Sequence, residues 1–228
     1  MLLRLGDLFN DPRDFVIQLL LWIVALLVGL TVHEFSHALV ADRLGDPTPR
    51  RHGRLSLNPG AHLDPFGSLM ILLVGFGWGK PVPVNTLNLQ NGRRGMALVA
   101  LAGPISNLLL AFAFAIPIRI GATLPSLHYL FTGTIGTADL PYLMLWTLVK
   151  LNAVLAVFNL LPIPPLDGSN VLLGILPDDA ARSYARLMPY GPLLLLAVIM
   201  IAFLTPFDLL GHIMNPVIDF VRRLALGY

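Results

Sequence analysis

The residues best suited to chemistry are His33, Glu34 and His37, in the run His33-Glu34-Phe35-Ser36-His37. On an α-helix, side chains four positions apart project from one face about a turn from each other, so both imidazoles can reach a single Zn2+. Glu34 is rotated about 100 degrees from His33 and lies beside such an ion, where its carboxylate can take a proton from an activated water. The pattern is short, and its setting gives it weight. Before it, the stretch from Phe15 to Val32 is apolar with Gln18 as its one strongly polar residue. Ionisable groups that continue such a span are expensive to bury and are by default functional.

Two histidines need a third protein ligand, leaving a fourth position for water. The chain has no cysteine, which excludes thiolate ligands, disulfides and thiol catalysis. Among the 13 acidic residues only Glu34 is a glutamate, so no second glutamate can serve. A histidine six residues beyond His37 is excluded as well, because Arg43 stands there. His52, His62, His128, His212 and the aspartates remain. Asp167 is the strongest of these. It follows Pro162, Pro164 and Pro165 in a segment with no other charge between Lys150 and Asp178. Those prolines break a helix, since each removes a backbone donor and crowds the preceding turn. Broken helices in membranes build ligand sites because the freed polar groups must face protein or water. The competing role for Asp167 is to cap a helix beginning near Ser169. His62 and Asp64 come next as ligands or ligand partners, against a plain loop role.

The elements that must position these groups are helical and membrane-embedded. With 56% hydrophobic and 12% charged residues, the chain is too apolar for a water-soluble core. We expect an all-α polytopic membrane protein forming a single unit over residues 1–228. Four full transmembrane helices are predicted: about Asp14 to Leu44, Gly95 to Ile118, Leu140 to Asn159, and Met188 to Thr205. The apolar run is too long, and lacks the small-residue site, for a cleaved signal peptide. Pro65 to Trp78 falls short of the roughly 20 residues needed to cross and is read as re-entrant or tilted. Pro206 to Tyr228 is read as an amphipathic interfacial helix, and Lys80 to Asn85, alternating Val with Pro, as an edge strand or extended loop.

The formal charge of +2 is small and dispersed, which excludes a nucleic-acid surface. Arg43, Arg50, Arg51 and Arg54 form the densest basic cluster, so the loop they occupy is expected in the cytoplasm and the N-terminus outside. Ten residues separate His33 from Arg43, placing His33 roughly 15 Å inside that helix end. A peptide bond cleaved there must belong to a substrate that is itself in the bilayer. Lys150, mid-span, either snorkels outward or pairs with an acid in the bundle.

Two long motifs carry a resemblance. HEFSH at 33–37 and FNLLPIPPLDG at 158–168, of the N-x-x-P-x-P-x-x-D-G type, resemble the signatures of the site-2 proteases, zinc metalloproteases that cleave peptide bonds within membranes. GPISN at 103–107 is similar to a third, weaker signature, and together the motifs imply a catalytic core at about 14–176. The resemblance implies one Zn2+ per chain held by His33, His37 and Asp167, with Glu34 as general base and Asn159 as a donor to the oxyanion. The competing role of Asn159 is to cover carbonyls freed by Pro162. Gly103 and Asn107 read as close-packing positions rather than catalysts. The resemblance further implies a compact form without PDZ or CBS domain, membrane-protein substrates with a transmembrane segment, a role in regulated proteolysis, and substrate pairing with an edge strand at Lys80 to Asn85. The plasma membrane is the expected location. Two rivals stand beside it: a metal-ion or proton transporter using the same His/Asp cluster, and a catalytically silent binding partner, which the intact Glu34 disfavours.

Overall fold

The computed structural model describes residues 11–67, 70, 79–204, 211–212, 215–216, 218–220 and 223. Among them the regular structure is entirely helical. Helix α1 spans Pro12–Arg43. It starts where the Asp11 carboxylate accepts the Asp14 amide at 3.1 Å and Pro12 supplies a preset first turn. At 32 residues it is about 48 Å long, more than the roughly 30 Å hydrocarbon layer requires. A short helix α2, Thr48–Arg51, follows. Helix α3 covers Gly92–Arg119, α4 Leu127–Thr132 and α5 Leu140–Asn159. After the proline-rich break come α6, Asp167–Ile175, then α7, Asp178–Ala185, and α8, Gly191–Leu204.

Among the described residues four helical stretches are long and apolar enough to cross a membrane: Pro12–Arg43, Gly92–Arg119, Thr137–Asn159 and Asp178–Ile201. They match the four predicted spans. The fourth begins earlier than expected, through α7 and a 3-10 turn at Met188–Tyr190. The outer faces of the helices carry exposed apolar side chains, among them Leu20, Val24, Ile105, Leu109, Leu196 and Met200, as lipid contact demands. Most of the segment expected to be re-entrant and most of the expected C-terminal amphipathic helix lie outside the described residues.

The core is a chain of apolar clusters threaded between α1, α3 and α5. Ala25 and Leu26 meet Leu148 and Leu151, while Ala115 and Ile118 meet Val149. Leu195 and Ile199 of α8 join Val157, Leu161 and Leu166 around the helix break. One end of the bundle collects the basic residues. There Gln90 N donates to Leu44 O at 2.8 Å, so Arg43 and Arg93 share that end, and Arg93 pairs with Asp178 at 2.9 Å. At the opposite end the Asp14 carboxylate accepts Ile135 N at 2.9 Å, while Asp139 accepts Ser126 N and Gly136 N.

The segment Lys80 to Asn85 forms no strand. It is the extended-loop alternative that the alternating prolines left open. Lys80 N donates to His62 O, Lys80 O accepts from Arg54, and Asn85 N is taken by Asp46.

Candidate metal centre

His33 and His37 lie on the inner face of α1, 4% and 7% exposed. Their Nε2 atoms are 3.0 Å apart. The third element enters through the broken segment. The helix α5 cannot run past Asn159 because of the prolines that follow, and α6 restarts at Asp167 with no side-chain cap. The capping alternative for Asp167 is therefore not realised. Its carboxylate Oδ2 lies 3.1 Å from His33 Nε2 and 3.3 Å from His37 Nε2. The restart is close to the end of α5: a Cβ at Gly168 would sit 2.2 Å from Leu160 O, so only glycine permits this approach.

Helix α3 closes the other side. A Cβ on Gly103 would lie 2.5 Å from His33 Cε1 and from His37 Nε2. The close-packing reading of Gly103 holds, and the surface it packs on is the pair of imidazoles. Asn107 departs from that reading. It is fully buried, with Oδ1 2.6 Å from His33 Nδ1, so it is a hydrogen-bond partner of a candidate ligand. His37 Nδ1 is likewise 2.7 Å from Val99 O. Sequence reasoning missed the Asn107 contact, although an amide in an otherwise apolar span is itself a signal.

The hydrogen bonds fix where the ring protons sit. A backbone carbonyl only accepts, so His37 Nδ1 carries the proton and donates to Val99 O. Asn107 Nδ2 is 3.1 Å from Gly29 O, which makes it the amino group and leaves Oδ1 to accept from His33 Nδ1. In neutral rings both Nε2 atoms then present lone pairs beside Asp167 Oδ2, which is buried with no hydrogen-bond partner. Three acceptors converge in that state, and a cation satisfies all three. A tetrahedral Zn2+ with ligands at about 2.0–2.1 Å separates its donor atoms by about 3.3 Å, close to the spacings found. Among the described residues, His33, His37 and Asp167 are the group able to hold a metal ion.

The other candidates lie elsewhere. His62 is fully buried with Nε2 2.6 Å from Ser56 O, and Asp64 Oδ1 accepts Gly67 N at 2.8 Å, the loop role. His52 bonds Thr48 O from an exposed position, and His128 and His212 are exposed. Glu34 is half-buried one position from His33. Asn159 is half-buried, and its Nδ2 donates to Leu155 O at 3.0 Å; Phe158 O, the carbonyl freed by Pro162, is taken by Leu161 N instead. Lys150 is exposed, the outward alternative.

A helical membrane protein with a His-His-carboxylate cluster able to hold a metal ion among its spans fits the membrane metalloproteases. Comparison with known proteins identifies the family. The model of peptidase family M50 matches residues 21–201, and the chain belongs to this family, the site-2 proteases. YwhC of Bacillus subtilis is 37% identical over 201 residues, covering 86% of this chain and 85% of that protein. Rip2 of Mycolicibacterium smegmatis is 33% identical over 200 residues, covering 86% and 71%. MJ0611 of Methanocaldococcus jannaschii is 28% identical over 175 residues, covering 75% and 78%. All three are named as candidate zinc metalloproteases. No solved structure matches the chain significantly. Membership of a peptidase family favours hydrolysis over ion transport, and the donor set accepts the zinc that the family uses.

Proposed function

We propose that the protein is an intramembrane zinc endopeptidase that hydrolyses peptide bonds in or near transmembrane segments of membrane-protein substrates, in regulated proteolysis. His33, His37 and Asp167 hold the ion, Glu34 is the general base and Asn159 donates to the oxyanion. The observation that carries this reading is the convergence of one ligand atom each from His33, His37 and Asp167 within 4.8 Å, with Glu34 next to His33 in the sequence.

When bound, Zn2+ supplies Lewis acidity and lowers the pKa of a water toward neutrality. The chain's own groups do the rest. Glu34 accepts a proton from the attacking water and passes it to the leaving amine, work worth about 10^2–10^4-fold in rate. The Asn107 and Val99 oxygens hold the two rings with their Nε2 lone pairs inward. Asn159 spends one amide N–H on Leu155 O and keeps a second for the oxyanion. Asp167 retains 19% side-chain exposure, which supports a path for water to the centre.

The depth of the site supports membrane-embedded substrates. His33 is about 15 Å from Arg43 along α1, and the basic residues gathered at that end support a cytoplasmic placement with the N-terminus outside, in the plasma membrane. The test is Glu34→Gln, reconstituted in liposomes with a model single-span substrate. Zinc content stays and cleavage falls by at least about 100-fold. A Glu34→Gln enzyme that cleaves at the wild-type rate would overturn the mechanism.

A further inference from the structure

Asn152, in the middle of α5, is fully buried seven residues before the family's asparagine motif begins. Its Nδ2 donates to Leu148 O at 2.8 Å, so this nitrogen is the amino group and Oδ1 is free to accept. Oδ1 takes Asn107 Nδ2 at 2.8 Å, while the second Asn107 N–H goes to Gly29 O at 3.1 Å. Both amino hydrogens of Asn107 are thereby committed, and its carbonyl must face His33 Nδ1 at 2.6 Å. The polarity of the whole series is set at its far end by a backbone carbonyl that cannot donate. If the Asn107 amide turned over, its amino group would meet His33 Nδ1, and the ring proton would move to Nε2, the atom that faces Asp167 and His37.

We propose that Asn152 is a positioning residue of the metal centre: through Asn107 it fixes the tautomer and ring orientation of His33, so that Nε2 presents a lone pair to the ion. This rests on the reading of His33 as a ligand. It gives α5 two roles, because the same helix ends at the break from which α6 and Asp167 restart. A purely structural role for the two amides, as glue between helices, predicts a different result: loss of stability in the zinc-free protein with zinc affinity unchanged.

The experiment is competition for Zn2+ between a chromophoric chelator and the full-length protein in detergent, with Tm measured with and without zinc. Substituting a partner of a metal-ligating histidine typically costs about 10–100-fold in metal affinity. Asn107→Leu is expected to fall in that range, and Asn152→Leu, one bond further out, to lose several-fold. Each shrinks the rise in Tm that zinc produces. Asn152→Asp keeps an acceptor for Asn107 and restores affinity relative to Asn152→Leu. Should the leucine variants not fold, Asn152→Ala, which suits a helix, gives the same reading. Wild-type zinc affinity in Asn152→Leu or Asn152→Ala overturns the proposal. An Asp167→Ala control separates the two layers: if it loses zinc while the Asn152 variants keep it, the relay fails and the ligand reading stands; if it too keeps zinc, the ligand reading fails.

Discussion

Two buried carboxylates invite comparison. Asp46, just past the end of α1, is fully buried and fully answered. Its Oδ1 accepts Thr48 N at 3.1 Å, Thr48 Oγ1 at 2.6 Å and Asn88 Nδ2 at 3.0 Å, and its Oδ2 accepts Asn85 N at 2.7 Å. Asp167 keeps 19% of its side chain exposed, yet its Oδ2 atom is buried, has no hydrogen-bond partner and faces the Nε2 atoms of two imidazoles. Burial costs both groups, and what surrounds them differs in kind. Donors around Asp46 make a structural knot that ties the segment at 85–88 to the end of α1. Acceptors around Asp167 make a site that is complete only with a cation. A buried acid is therefore informative through the sign of its neighbours, more than through its burial.

The comparison can be broken by the same substitution at both positions. Asp167→Asn should lower zinc affinity at least about 100-fold, because the ion loses its charged ligand, while Asp46→Asn should leave zinc binding unchanged; chelator competition measures both. Stability in the zinc-free protein should move the opposite way. Asp46→Asn is expected to cost about 1–3 kcal/mol, since an amino group replaces an acceptor among donors. Asp167→Asn should raise the zinc-free Tm, because an amide can donate to a bare Nε2. A zinc-free Asp167→Asn protein that melts below wild type would argue that an imidazolium Nε2–H already donates to Asp167 in the absence of the ion.

Gly103→Ala sharpens the picture at the metal end. The added Cβ meets both rings at 2.5 Å, so α3 or the imidazoles must shift, at a cost of about 1–3 kcal/mol with weakened zinc binding. Equilibrium unfolding and zinc titration together would detect it.

Acid tests the Asp46 end. Burial pushes the Asp46 carboxyl up, but the hydrogen bonds from Thr48, Asn88 and Asn85 outweigh that and hold it below the ordinary carboxylate range. A group with a depressed folded pKa contributes stability above its unfolded value, about 4, and loses it as pH falls through the folded value. Protection of the 85–88 amides from hydrogen exchange should therefore persist to about pH 4 and fade below it, and in Asp46→Asn this acid-dependent loss should be absent. The smallest effect is expected at His62: bonded to Ser56 O and not part of the His33/His37/Asp167 cluster, it can be replaced by glutamine with zinc content unchanged.

How legible was all this in the sequence? The four spans were, because a run of apolar residues near bilayer length leaves few alternatives. His33 and His37 were legible as a pair, since ionisable groups in an apolar stretch cost energy that a shared purpose offsets, and the proline break made Asp167 the strongest of several third candidates; the full set came from the resemblance to the site-2 proteases. Asn107 and Asn152 were harder. Nothing in GPISN or in VKLNAV says which way an amide points; that depends on which carbonyls come within reach, here Gly29 O of α1 and Leu148 O of α5. The role of Lys80 to Asn85 was left open between strand and loop for a related reason, since pairing depends on a partner that spacing alone does not supply.

The most direct test of the central claim is X-ray absorption at the zinc edge on the purified protein. A zinc held by His33, His37 and Asp167 gives a four-coordinate shell of nitrogen and oxygen at about 2.0–2.1 Å with the multiple-scattering signature of two imidazoles, and Asp167→Ala loses that signal. A shell with fewer than two imidazoles, or an unchanged shell in Asp167→Ala, would contradict it.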